Sequence, residues 1–86
     1  MLVRYSKKAL KFLEKLDKKS VVRIQKAIIG LTLVPPEGDI KVMQGYSDGR
    51  KRLRVGDWRV IYRYNLDGKI EVICIIEIGN RGDVYK

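Results

Sequence analysis

Histidine is missing altogether from this 86-residue chain, and cysteine occurs once, at Cys74. Without histidine there is no Ser-His or Cys-His nucleophile pair, and a single thiol leaves no ligand set for zinc or another transition metal. One cysteine also excludes an intrachain disulfide framework, which fits a reducing compartment. Cys74 lies in an apolar stretch and is expected to pack as a small hydrophobe. No apolar run approaches the ~20 residues of a membrane-spanning helix. Arg4, Lys7 and Lys8 interrupt the start of the chain, so no secretory signal is visible and a cytoplasmic location is expected. There is no internal repeat or low-complexity tract. Any catalysis must rest on Arg, Lys, Tyr, Asp or Glu.

What the chain has in excess is positive charge: 19 Lys and Arg against 10 Asp and Glu, a formal net charge of +9. With 45% hydrophobic residues it is not a disordered basic tail. Residues 1–86 are read as a single domain, which at this length buries about 60–65% of the surface its unfolded chain exposes. Such a charge balance favours nucleic acid or an acidic protein as partner.

Met1 to Tyr5 suits a short strand, and Ser6 follows where a helix N-cap belongs. Ala9, Phe12, Leu13 and Leu16 then fall on one helical face, with Lys8, Lys11 and Lys15 on the other. A second helical pattern runs through Val21, Ile24, Ile28 and Leu31 and ends before Pro35-Pro36. The two predict a helical hairpin. Val22, Ile29 and Leu33 lie outside the stripe and are expected to pack on a sheet, with a partner groove as the alternative. Pro35 to Gly49 reads as a long connection holding a short strand at Ile40 to Met43.

Arg50 to Arg63 reads as a β-hairpin. Gly56-Asp57 suits a two-residue loop with Gly first, so that Val55 faces Trp58, Arg54 faces Arg59, Leu53 faces Val60 and Arg50 faces Arg63. Alternation puts Arg50, Arg52, Arg54, Arg59 and Arg63 on one side and Leu53, Val55, Trp58, Val60 and Tyr62 on the other. Like charges directly opposite destabilise a sheet, so Arg54 against Arg59 points to an anion. Leu66-Asp67-Gly68 is expected as a three-residue loop into the last strand. That register pairs Arg63 with Glu71, Ile61 with Ile73 and Arg59 with Ile75, leaving Ile61, Ile73 and Ile75 as an apolar floor beside the arginines. The fold class predicted is α+β, an N-terminal helical hairpin packed on a twisted antiparallel sheet.

Arginine forks bind phosphate oxygens in pairs and stay charged at any physiological pH. Several on one face suit a phosphodiester and its more highly charged transition state. Arg81, between Asn80 and Gly82, and Tyr85 follow the last strand and are placed to reach the same face, where a tyrosine stacks on a base.

At these residues the chain resembles the RelE/ParE superfamily of toxins from type II toxin–antitoxin pairs. The likeness runs through Arg50-Lys51-Arg52-Leu53-Arg54-Val55-Gly56-Asp57-Trp58-Arg59-Val60-Ile61-Tyr62 to Asn80-Arg81-Gly82-Asp83-Val84-Tyr85. Arg81 and Tyr85 lean towards the RelE branch. The resemblance implies a metal-independent, cofactor-free endoribonuclease that cuts messenger RNA in the ribosomal A site by attack of a 2′-hydroxyl on the adjacent phosphate. It also implies neutralisation by a small antitoxin, expected to be acidic. Carried over, Arg59 stabilises the scissile phosphate, Arg81 serves the leaving group and Tyr85 orients the substrate, with Arg52 completing the catalytic set. Arg50, Lys51 and Arg54 bind the substrate. Arg50 and Arg52 fall where the RelE branch commonly has lysines, the second of them proposed as the base. Arginine is effectively never deprotonated, so Arg52 acts through its charge, and Glu77 is the carboxylate available as a base or for a surface ion pair. Asn80 stands where the family often has histidine. Two rivals stay open: a ParE-like inhibitor of DNA gyrase, and a catalytically silent relative that only binds RNA or ribosomes.

Overall fold

A computed structural model describes residues 1–80. The order of elements is β1 (Leu2–Tyr5), α1 (Lys7–Glu14), α2 (Lys18–Gly30), β2 (Asp39–Val42), β3 (Lys51–Val55), β4 (Trp58–Asp67) and β5 (Ile70–Asn80). The strands form one five-stranded sheet in the order β1-β5-β4-β3-β2, antiparallel except for the parallel pairing of β1 with β5. This is the expected α+β architecture. The helices cover one face of the sheet, and no described helix is long and apolar enough to cross a membrane.

Each helix begins where a side chain can serve its free amides. The Ser6 hydroxyl accepts from the Ala9 N–H at 3.0 Å and donates to the Ile76 carbonyl at 2.6 Å, so the cap of α1 is also its tie to β5. Asp17 caps α2 by accepting from the Ser20 N–H at 3.2 Å. The apolar stripes meet the sheet in a core that includes Ala9, Leu13, Ile24, Ile28, Leu31, Leu53, Val60 and Tyr62. Val22, Ile29 and Leu33 do not join it. They stay exposed, because the stripe of α2 already spans the back of the sheet through Ile24 and Ile28.

The β3–β4 hairpin pairs as the sequence predicts: Val55 with Trp58, Arg54 with Arg59 and Leu53 with Val60. Gly56 opens the turn at φ +58°, a conformation that L side chains rarely adopt. The next hairpin departs from expectation. Its loop is the two-residue Gly68-Lys69, with Gly68 at φ +65°, and Asp67 is the last strand residue, opposite Ile70. Gly first in a two-residue turn matches the twist of the flanking strands, and it wins over a three-residue loop. The whole β5 register moves with it. Arg63 now faces Cys74 and Glu71 faces Leu66, so the anticipated Arg63–Glu71 ion pair does not exist. Ile73 and Ile75 turn to the helix side and enter the core, opposite Tyr64 and Tyr62.

Candidate nucleic-acid interface

On the side of the sheet away from the helices, side chains fall into rows across the strands. One row reads Gly79, Arg59, Arg54, Asp39, and the next reads Glu77, Ile61, Arg52, Lys41. A bulge in β5 creates this alignment. Tyr62 pairs with Ile75 and Ile61 with Glu77, so Ile76 is the extra residue. A bulge re-aims the side chains beyond it. Before it Val72 and Cys74 face the arginines, and after it Glu77 and Gly79 do, while Ile78 enters the core.

Arg59 is the centre of the face. It is 5% exposed, its Nη1 donates to the Trp58 carbonyl at 3.2 Å, and its buried Nε has no hydrogen-bond partner among the described residues. Across the ladder stands Arg54, a like charge, and Gly79 on the other side offers no side chain. A buried guanidinium is stable only when paired, because both desolvation and an unmade hydrogen bond cost free energy. Its position therefore fits an anion lying over the Arg59–Gly79 pair. Arg52, also buried, reaches Asp39 only at 3.4 Å. Arg54 is exposed.

Arg50 is tied down differently. Asp48 grips it through both carboxylate oxygens, at 2.8 Å to Nη2 and 3.1 Å to Nε, and its guanidinium lies 4.2 Å from the centroid of the Tyr46 ring. The hydrogen bonds from Arg50 hold the Asp48 carboxyl below the usual carboxylate range and raise Arg50 further. Arg50 is thus a pre-positioned, half-neutralised cation. Lys51, expected to bind substrate, stands on the opposite side of the strand: it pairs with Tyr62 and lies 5.2 Å from the Tyr64 ring centroid, on the helix face. Arg63 is half-buried on the cationic face. Arg81 and Tyr85 lie outside the described residues.

The apolar floor is smaller than the one anticipated. Ile61 keeps its place, but Ile73 and Ile75 leave this face; Val72 replaces neither beside Ile61, since it stands two rows away opposite Asn65 with the Arg63–Cys74 pair between. Cys74 is half-buried on this face opposite Arg63, not in the core. The bulge and the Asp48 clamp were missed in the sequence. Asp48-Gly49-Arg50 carries a local signal for the clamp, a short acid two residues before an arginine at a glycine turn, whereas nothing in the sequence marks Ile76 as a bulge.

A fold with two helices behind a mostly antiparallel sheet matches known proteins. A family model, ParE toxin of type II toxin-antitoxin system, parDE, matches residues 3–85. The chain belongs to this RelE/ParE family of type II toxins. Among solved structures it is similar to the archaeal RelE-RelB complex from Pyrococcus horikoshii OT3, with 32% identity over 95% of this chain and 96% of the other, at TM-score 0.68. The isolated E. coli RelE toxin is 25% identical over 98% of this chain and 89% of the other, at TM-score 0.66. The YoeB/ParE toxin from Agrobacterium tumefaciens shares the fold at TM-score 0.74 and 18% identity, covering 94% and 99%. A search of curated proteins finds no match.

Proposed function

We propose that this toxin is a metal-independent endoribonuclease that cuts messenger RNA in the ribosomal A site by attack of a 2′-hydroxyl on the neighbouring phosphate. The observation that carries this reading is Arg59: a buried cation whose Nε has no partner among the described residues, facing another arginine. A phosphate there gains two charge-assisted hydrogen bonds and relieves the repulsion from Arg54. Donors fixed before the reaction help most where charge develops, on the non-bridging oxygens of the pentacovalent phosphorus. Arg52 and Arg54 flank that position on β3 and add positive potential, and Arg50 extends the track for the backbone. Ile61, in the row next to Arg59, supplies an apolar surface for a base. Arg81 and Tyr85 are assigned to the leaving group and to substrate orientation on their place in Asn80-Arg81-Gly82-Asp83-Val84-Tyr85.

The same reading includes a cognate antitoxin, since the P. horikoshii relative was solved as a RelE-RelB complex. With a toxin net charge of +9, an acidic antitoxin that covers the arginine face is the partner of best electrostatic fit. It acts in the cytoplasm, where the ribosomes are.

A second reading has its own support. The family model is that of ParE, and a ParE-like toxin would bind DNA gyrase without chemistry of its own. One experiment separates the two. The chain is induced in a bacterial host, transcript 5′ ends are mapped, and gyrase supercoiling is assayed in parallel. Cuts inside translated codons are expected here; lost supercoiling with intact transcripts would identify the gyrase inhibitor, and neither effect would identify a silent relative.

A further inference from the structure

The arginine that replaces the usual lysine leaves the nuclease reading without a base, and the sheet supplies one. We propose that Glu77 is the catalytic residue that accepts the 2′-hydroxyl proton; the inference rests on the nuclease reading above.

Among the described residues four carboxylates stand on or beside the open face, and geometry separates them. Asp48 is engaged through both oxygens by Arg50. Asp67 sits at the far end of β4, bonded to Arg4 at 2.6 Å. Asp39 is two strands from Arg59, about 10 Å at the usual spacing, with Arg54 between them. Glu77 is on the strand next to Arg59, two residues along from its partner Gly79, a diagonal neighbour at about 7–8 Å between backbones. Side chains on such a diagonal can meet across one phosphate and its attached ribose. Glu77 owes this place to the bulge at Ile76, without which its side chain would point to the helices.

The surroundings keep Glu77 oriented. It is partly buried, and Lys8 from α1 forms an ion pair with its Oε1, leaving the second oxygen for a substrate proton. The other charged groups facing it are Arg50 at the entry to β3, Arg52 on β3, and Arg59 and Arg63 on β4, all cations. Ile61, directly opposite, is apolar and limits water on that side. In the step itself, the 2′-oxygen bonds to phosphorus as Glu77 takes its proton. The bond from phosphorus to the 5′-oxygen breaks, and that oxygen takes a proton from water. Hydroxide so formed removes the proton from Glu77, leaving a 2′,3′-cyclic phosphate and a 5′-hydroxyl.

The test is single-turnover cleavage of programmed ribosomes by the full chain, wild type against Glu77→Gln and Glu77→Ala, with circular dichroism and ribosome binding as controls. Loss of a general base predicts a rate lower by roughly 10²-fold or more, with ribosome binding kept. Small carboxylates such as formate and acetate, added to Glu77→Ala, should restore cleavage in proportion to their basicity, whereas refilling a merely structural ion pair would not depend on it. Cleavage by Glu77→Gln at the wild-type rate, or rescue independent of basicity, or no rescue of a folded Glu77→Ala, would overturn the assignment while the nuclease reading stands. A wild type that cuts nothing would overturn both.

Discussion

Replacing Arg59 by methionine should make the free toxin more stable while removing its function. Arg59 is buried, its Nε is unbonded among the described residues, and its cross-strand neighbour is Arg54. A buried donor left unsatisfied costs about 1–3 kcal/mol, and like charges directly opposite add up to about 1 kcal/mol. Methionine keeps an unbranched stem of similar reach and loses only the charged head, so most of the packing survives and part of the gain is lost to imperfect fit. The expected net effect is a stabilisation of about 1–2 kcal/mol, which for a domain of this size raises Tm by roughly 4–15 °C. Urea denaturation at constant ionic strength in a chloride buffer measures it. Adding sulfate or pyrophosphate should then raise the midpoint of the wild type and leave Arg59→Met nearly unmoved, because only the wild type keeps the anion site. If Arg59→Met is less stable by 1 kcal/mol or more at an unchanged m-value, the guanidinium is satisfied in the folded protein and the anion argument fails.

Ser6→Ala should be costly for a surface-edge residue, because it removes the α1 cap and leaves the Ile76 carbonyl without its donor; about 2–3 kcal/mol in thermal or urea unfolding is expected. Burial pushes the Tyr62 phenol well above its ordinary value. Its neutral form is therefore favoured by folding, so its contribution is complete below about pH 10, the unfolded value, and is lost as pH rises through the folded one. Tyr62→Phe should flatten that alkaline decline, and a decline of unchanged slope would show that other groups cause it. Binding to ribosomes should weaken steeply with salt, each neutralised phosphate adding about 0.7–0.9 to the log–log slope, as filter binding from low to physiological salt would show; a flat response would remove the arginine face from the interface.

The parts of this fold that were legible in the sequence are those set by local chemistry. Ser6 caps α1 because a hydroxyl there serves a free amide, and Gly56-Asp57 fixes the β3–β4 register because a glycine-first turn admits only one pairing. From that pairing the opposed Arg54 and Arg59 followed directly. The β4–β5 pairing was not legible, since Leu66-Asp67-Gly68-Lys69 accommodates a three-residue and a two-residue loop, both with Gly68 in the left-handed conformation. The shorter loop moved the register by three residues, an odd number that changed which β5 residues face front, so Ile73 and Ile75 went to the core and Arg63 lost Glu71. Glu77 was nevertheless found on the open face, for a different reason than alternation alone: the bulge at Ile76 reverses the parity a second time. Long-range packing decides such bulges, and a single sequence does not display it. Lys51 shows the converse. As one of a run of basic residues it looked like part of the substrate track, yet strand alternation places it over Tyr64.

The central claim, that Arg59 anchors the scissile phosphate, is tested most directly by single-turnover cleavage of programmed ribosomes with Arg59→Ala against Arg4→Ala. Both remove one positive charge, but Arg4 is exposed at the sheet edge and paired with Asp67. Arg59→Ala should cleave roughly 10²-fold or more slowly, the usual effect of deleting one transition-state donor, while Arg4→Ala stays close to the wild type. Equal rates for the two variants would contradict it.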